Sequence, residues 1–251
     1  MNTSLTALIV FGCLVGAVLF GRALRRLLPG DHLTSDSRDT IKLAVGLVAT
    51  MSALVLGLLV SSAKGSYDTE RSEVIQMAAK VAFLDRVLAA YGPEAADARG
   101  RFHDVVKEAV RQMWPGEARL PLHLAPDTQA GNALYVAVQD LSPHDDTQRR
   151  LKDQATTLAT DLGQLRSLLV AQSVASISQP MLIILVSWLV IIFLGFSAVA
   201  PPNTTTIFAL TVSALAVSGA IFLILELDQP FSGLIRISSQ PMLNALSQFT
   251  R

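Results

Sequence analysis

At 251 residues the chain has room for one or two domains; 51% of its residues are hydrophobic, 16% charged and 6% aromatic. That balance suits a membrane protein with a modest water-facing part better than a soluble globule. The formal net charge is zero, no basic tract points to nucleic acid, and the single cysteine, Cys13, excludes an intrachain disulfide.

Leu5 to Leu24 reads as a first membrane span. A cleaved signal peptide carries basic residues ahead of its apolar core. Here MNTSL has none and Arg22, Arg25 and Arg26 follow the core instead, so a retained helix is expected. Residues 27–40, rich in Pro, Gly, Ser and Asp, read as a loop whose Asp/Ser/Thr cluster caps the next span. From Leu43 to Val60 no residue is charged, enough helix to cross a ~30 Å hydrocarbon core. Ser61, Ser62, Lys64, Tyr67 and Asp68 mark the water boundary. Val74, Met77, Val81, Leu84, Leu88 and Tyr91 then continue at helical spacing without a proline, so one helix is expected to leave the membrane and enter a water-facing bundle.

Tyr91-Gly92-Pro93-Glu94 is a helix stop followed by a start. Glu94–Met113 is a second amphipathic helix, ended by Trp114-Pro115-Gly116. Four prolines make 115–143 mostly loop, with Ala133–Asp140 its helical part. Ser142-Pro143-His144-Asp145-Asp146 starts a third soluble helix, its acids near the positive end of the dipole. Leu151, Leu158, Leu162, Leu165 and Leu169 give that helix an apolar stripe, read as bundle core rather than a coiled-coil seam. It is expected to run to Ser178, where Gln179-Pro180 interrupts it. Met181–Ala200 and Thr206–Leu225 are the third and fourth spans, joined by Pro201-Pro202-Asn203.

The fold class is therefore an all-α membrane protein with four transmembrane helices. The layout predicts spans one and two in 1–64, a helical soluble domain in 65–179, spans three and four in 180–229, and a short tail or interfacial helix in 230–251. An even number of crossings puts both ends of this layout and the soluble domain on one side. Residues 65–179 carry 12 Lys and Arg against 15 Asp and Glu, a mildly acidic surround that leans toward cations.

Two stretches carry a resemblance. One is Val55-Leu56-Gly57, followed by Ser66-Tyr67-Asp68 and Glu70-Arg71; the other is Glu226-Leu227-Asp228-Gln229-Pro230-Phe231-Ser232-Gly233. In this order and spacing they resemble the bestrophin ion-channel family, and more narrowly its bacterial bestrophin-like branch. The resemblance implies a homopentamer whose second spans line a central pore, constricted by apolar side chains one helical turn apart. The matching positions are Thr50, Leu54 and Leu58. The residues themselves say only that these three share a helix face, being at i, i+4 and i+8. That face either lines a pore, where leucine rings gate by dewetting, or packs against another helix of the same subunit.

The chain also departs from the family. Animal bestrophins follow the P-F-G run with acids that help bind calcium, whereas Leu234-Ile235-Arg236-Ile237-Ser238 has no carboxylate, so no such clasp is expected. Tyr67 and Asp68 stand where paired tryptophans are typical.

Glu226 and Asp228 fall where the fourth span meets water, as boundary markers or as ion-attracting or intersubunit groups. Lys64 snorkels at the same kind of boundary. Asp68, Glu70, Arg71 and Glu73 read as a solvated face. His32, His103, His123 and His144 show no ligand spacing, so no metal site and no cofactor are expected. No phosphate-binding loop or G-x-S-x-G motif argues for an enzyme.

The Arg22, Arg25 and Arg26 cluster would place the soluble domain outside. Lys64, Arg71, Arg166, Arg236 and Arg251 pull the other way, and the resemblance implies a cytoplasmic domain and a bacterial inner-membrane location. The expected function is passive conduction of small ions, with the lipid bilayer and further copies of the chain as partners. The alternative is a non-conducting membrane sensor or scaffold whose soluble domain binds a partner protein. A transporter, to which Ser187, Ser213 and Ser218 give slight support, stands third.

Overall fold

Apolar runs of about twenty residues with almost no charge leave the backbone one economical way to satisfy its polar groups in lipid, which is the α-helix. The computed structural model describes residues 3–27, 35–114, 128–172, 179–201 and 203–250, and what it describes is helices and their connections. They are α1 (Thr3–Leu27), α2 (Ser35–Tyr91), α3 (Ala96–Met113), α4 (Thr128–Gln139), α5 (Asp146–Gln172), α6 (Gln179–Val199), α7 (Thr204–Leu227) and α8 (Gln240–Ser247). Short 3₁₀ turns cover Pro93–Ala95 and Gln248–Thr250. Among the described residues four helices, α1, α2, α6 and α7, are long and apolar enough to cross a membrane.

The chain divides into two compact units, Met1–Ser66 with Ala175–Asp228, and Tyr67–Val174 with Gln229–Arg251. In the first, the membrane unit, α1 packs against both α6 and α7. Buried Ser197 of α6 donates from Oγ to the carbonyl of Val18 at 2.6 Å. A Cβ placed on Gly21 would lie 2.7 Å from the backbone oxygen of Leu194, so the absence of a side chain lets these helices close. Helix α2 meets α6 where Val45 sits over Gly195. Helix α7 begins at Asn203, whose side chain accepts from the backbone N–H of Thr206 at 3.0 Å.

The second, the bundle unit, is built on the later part of α2. Val74, Val81, Leu84 and Leu88 are almost fully buried there, against Phe102 and Val106 of α3 and Leu134 and Val138 of α4. Leu158 and Leu169 of α5 lie in the same core, with Leu151, Leu162 and Leu165 packed on it, so the leucine stripe is core. Helix α2 stops at Gly92, whose φ of 121° is readily reached only without a side chain. Gln148 secures that end from α5, donating to the Tyr91 carbonyl at 3.1 Å. The start of α5 is capped by Asp145, which accepts from the Gln148 N–H at 2.7 Å.

Several expectations are revised. Residues 35–40 are helical: Thr40 bonds back to the Asp36 carbonyl at 2.9 Å, and Lys42 pairs with Asp39 at 2.9 Å. Ser35 to Thr40 therefore form the first turns of α2 rather than a loop ahead of it, and residues 28–34 of the expected loop lie outside the described residues. Asp68 and Arg71 are exposed, but Glu70 and Glu73 are buried at 6% and 8%. Both carboxylates share the face of Val74 and Met77, which the bundle covers; Glu73 accepts from Gln172 at 3.3 Å. The expected short tail carries the helix α8, and its apolar side chains turn inward. Phe231, Ile237, Met242, Ala245 and Phe249 belong to the bundle core. Trp114 donates from its indole N–H to the Ile237 carbonyl at 2.8 Å and packs edge-on against Phe231. The expected turn at Pro115-Gly116, His32, His123 and the run of α5 to Ser178 lie outside the described residues.

Candidate functional site

In its membrane part α2 has two unlike faces. Val45, Ser52, Leu59 and Ala63 are buried at 7%, 3%, 5% and 1%, and recur at helical spacing. The Ser52 hydroxyl is satisfied by the Val48 carbonyl at 2.8 Å. The other side carries Leu43, Leu47, Leu54 and Leu58, exposed at 77%, 65%, 75% and 62%, with Met51 between them. Thr50 is exposed on this side too, and its hydroxyl donates to the Leu47 carbonyl at 2.8 Å. Thr50, Leu54 and Leu58 thus fall on one uncovered apolar stripe, where even the one hydroxyl is turned to its own backbone.

Glu226 and Asp228 lie at the far end of α7 and differ from each other. Glu226 is 1% exposed and accepts a hydrogen bond from the Thr3 hydroxyl of α1. Burying a carboxylate is costly without such a donor. Asp228 caps α7, is only partly buried, and its backbone N–H bonds the Ile224 carbonyl at 3.1 Å.

The bundle unit holds a polar cluster that the pattern of the sequence does not announce. Asp85 of α2, its side chain 5% exposed, receives Nε of Arg99 at 2.6 Å and Nη2 at 2.8 Å. His103 reaches the same carboxylate through Nε2 at 2.8 Å, and its ring stacks on Phe249 at 4.1 Å, 3° from parallel. Burial pushes the Asp85 carboxyl up, but the hydrogen bonds from Arg99 and His103 outweigh it and hold the group below the ordinary carboxylate range. Asp85 in turn raises Arg99. The signal that could have revealed this cluster is the reversal at Gly92-Pro93, which folds α3 back along α2 and brings Arg99 onto Asp85. Among the described residues no three of His, Cys, Asp and Glu gather as a metal site.

Among curated proteins none matches this sequence. In solved structures the fold is similar to that of a bacterial bestrophin homologue from Klebsiella pneumoniae. One point variant of that protein gives a TM-score of 0.68 at 16% identity over 100% of this chain and 99% of that one. A second gives 0.65 at 16% over 98% and 100%. The stripe on α2 and the turn after α7 both lie within residues 11–242, which match the model of the Bestrophin-like domain, and the chain belongs to the Bestrophin-like family.

Proposed function

We propose that the chain is one subunit of a passive ion channel, in which five copies surround a central pore lined by their α2 helices. The observation that carries this reading is the uncovered stripe of Leu43, Leu47, Leu54 and Leu58 opposite a buried face of Val45, Ser52, Leu59 and Ala63. A subunit that packed Leu54 and Leu58 against its own helices would have no such face to present. Rings of leucine in a narrow pore expel water, and an ion passing them sheds hydration with nothing polar in exchange. Thr50, Leu54 and Leu58 are then the constriction and small inorganic ions the cargo. Asp228, partly exposed at the end of α7, suits attraction of ions or contact with a neighbouring copy better than the enclosed Glu226. The location that goes with this reading is a bacterial inner membrane with the bundle unit in the cytoplasm.

The test is ion flux through the protein reconstituted in liposomes, comparing the native chain with Leu54→Ala/Leu58→Ala. Widening the constriction is expected to raise flux about tenfold or more, the factor given by a barrier lower by about 1.4 kcal/mol. Flux equal to that of empty liposomes for both proteins would overturn conduction and leave a sensor or scaffold as the reading.

A further inference from the structure

The bundle unit contains a cavity of about 580 Å³ between α2, α3, α4, α5 and α8. This falls in the ~300–1,000 Å³ range of small-ligand pockets. Its inner wall is apolar: Met77 and Val81 of α2, Phe102 and Val106 of α3, Leu134 of α4 and Met242 of α8, all buried. Its mouth lies along α5, where Thr160, Gly163 and Ser167 are exposed. One cation, Arg166, lines it from the same helix.

The state of Arg166 narrows the choice of occupant. Its Nη2 donates to the Gln112 amide oxygen at 3.1 Å, and the Gln112 amide nitrogen donates onward to Glu108 at 3.1 Å. The guanidinium is therefore oriented by a neutral group. Among the described residues no carboxylate forms an ion pair with it, a state it shares with Arg86, Arg150 and Lys152, but of these only Arg166 lines the cavity. A fixed guanidinium at the edge of an apolar cavity is complementary to an anionic head on a hydrocarbon chain. The volume has room for one hydrocarbon chain.

We propose that this cavity binds a single-chain anionic amphiphile of the fatty-acid class, with the chain against Met77, Phe102 and Leu134 and the carboxylate on Arg166. The site does not depend on conduction by the α2 stripe and is read out separately from it.

Equilibrium dialysis of radiolabelled dodecanoate against the full chain in nanodiscs, with empty nanodiscs as the blank, tests the proposal. Saturable binding near one per chain is expected, roughly tenfold weaker for decanoate because two methylenes leave the cavity. Arg166→Gln is expected to weaken dodecanoate roughly tenfold and to leave dodecanol unchanged, since only the charged head meets the guanidinium. Ser167→Trp, at the exposed mouth, is expected to block both ligands in a chain that melts at the native temperature. Uptake no greater than by empty nanodiscs would overturn the proposal. So would an Arg166→Gln chain that binds dodecanoate as the native one does, or that loses both ligands equally.

Discussion

Asp85 shows how one residue can hold two elements together. Its carboxylate carries three hydrogen bonds from Arg99 and His103 across the Gly92 turn, and His103 passes the arrangement on to Phe249 by stacking. Asp85→Asn keeps the shape and removes the charge. A fully buried pair broken on one side costs ~3–5 kcal/mol. Arg99 keeps 29% of its side chain exposed, and solvent weakens its share, so roughly 2–3 kcal/mol is expected at neutral pH. The folded carboxyl lies below its ordinary value. Its stabilisation is therefore complete above the ordinary carboxylate range, near pH 4, and is lost as pH falls through the lower folded value. Thermal melts should show a gap between native and Asp85→Asn chains that is present at neutral pH and closes in acid. A gap that persists unchanged into strong acid would remove the charge from the account. Sequence did not disclose this residue because nothing in the spacing of 85, 99 and 103 marks them as partners until the reversal at Gly92 is drawn in three dimensions. Glu70 and Glu73 were obscured differently: acids next to Asp68 and Arg71 look solvated until Val74 and Met77 fix which side of α2 is inward.

Among the elements, the membrane helices were the most legible. Absence of charge over Leu43–Val60 and over the runs of α1, α6 and α7 is a direct consequence of where water is excluded. Helix starts were less so. Apart from Arg38, Ser35 to Thr40 are residues that favour caps, yet α2 continues back through them, supported by the Asp39–Lys42 pair. Close packing of α1 on α6 was also invisible, because a glycine in an apolar run has no periodic signature. Its importance is measurable. In Gly21→Val the new Cβ would meet backbone, the Leu194 oxygen at 2.7 Å, which cannot rotate away. Overpacking of this kind costs ~1–3 kcal/mol. A lower melting temperature in detergent is expected for Gly21→Val, with Gly12→Val, where nothing lies within 4 Å, as the tolerated control. Equal melting of the two variants would deny Gly21 a packing role.

For the molecule as a whole, charge placement leaves orientation to be decided by measurement. Arg22, Arg25 and Arg26 argue that the connection after α1 faces the cytoplasm, while the proposed function puts the bundle unit there. With the lone Cys13 replaced, Lys107→Cys puts one thiol on the exposed side of α3. For a cytoplasmic bundle, a membrane-impermeant maleimide is expected to label that thiol in inverted vesicles or opened cells and not in intact ones. Labelling of intact cells would reverse the orientation.

The bundle core is completed by residues that follow two membrane helices in the chain: Phe231 and Ile237 close on Trp114, and Phe249 on Phe102 and His103. During synthesis, α3 and α5 leave the ribosome long before those partners exist. The apolar surface that Trp114 and Phe102 later give to the tail must wait, uncovered, until α6 and α7 have been made and inserted. Maturation of the water-facing unit is thereby tied to successful delivery of the last two spans. A nascent chain that stalls after α7 is left with an open core, the sort of surface that chaperones and proteases recognise.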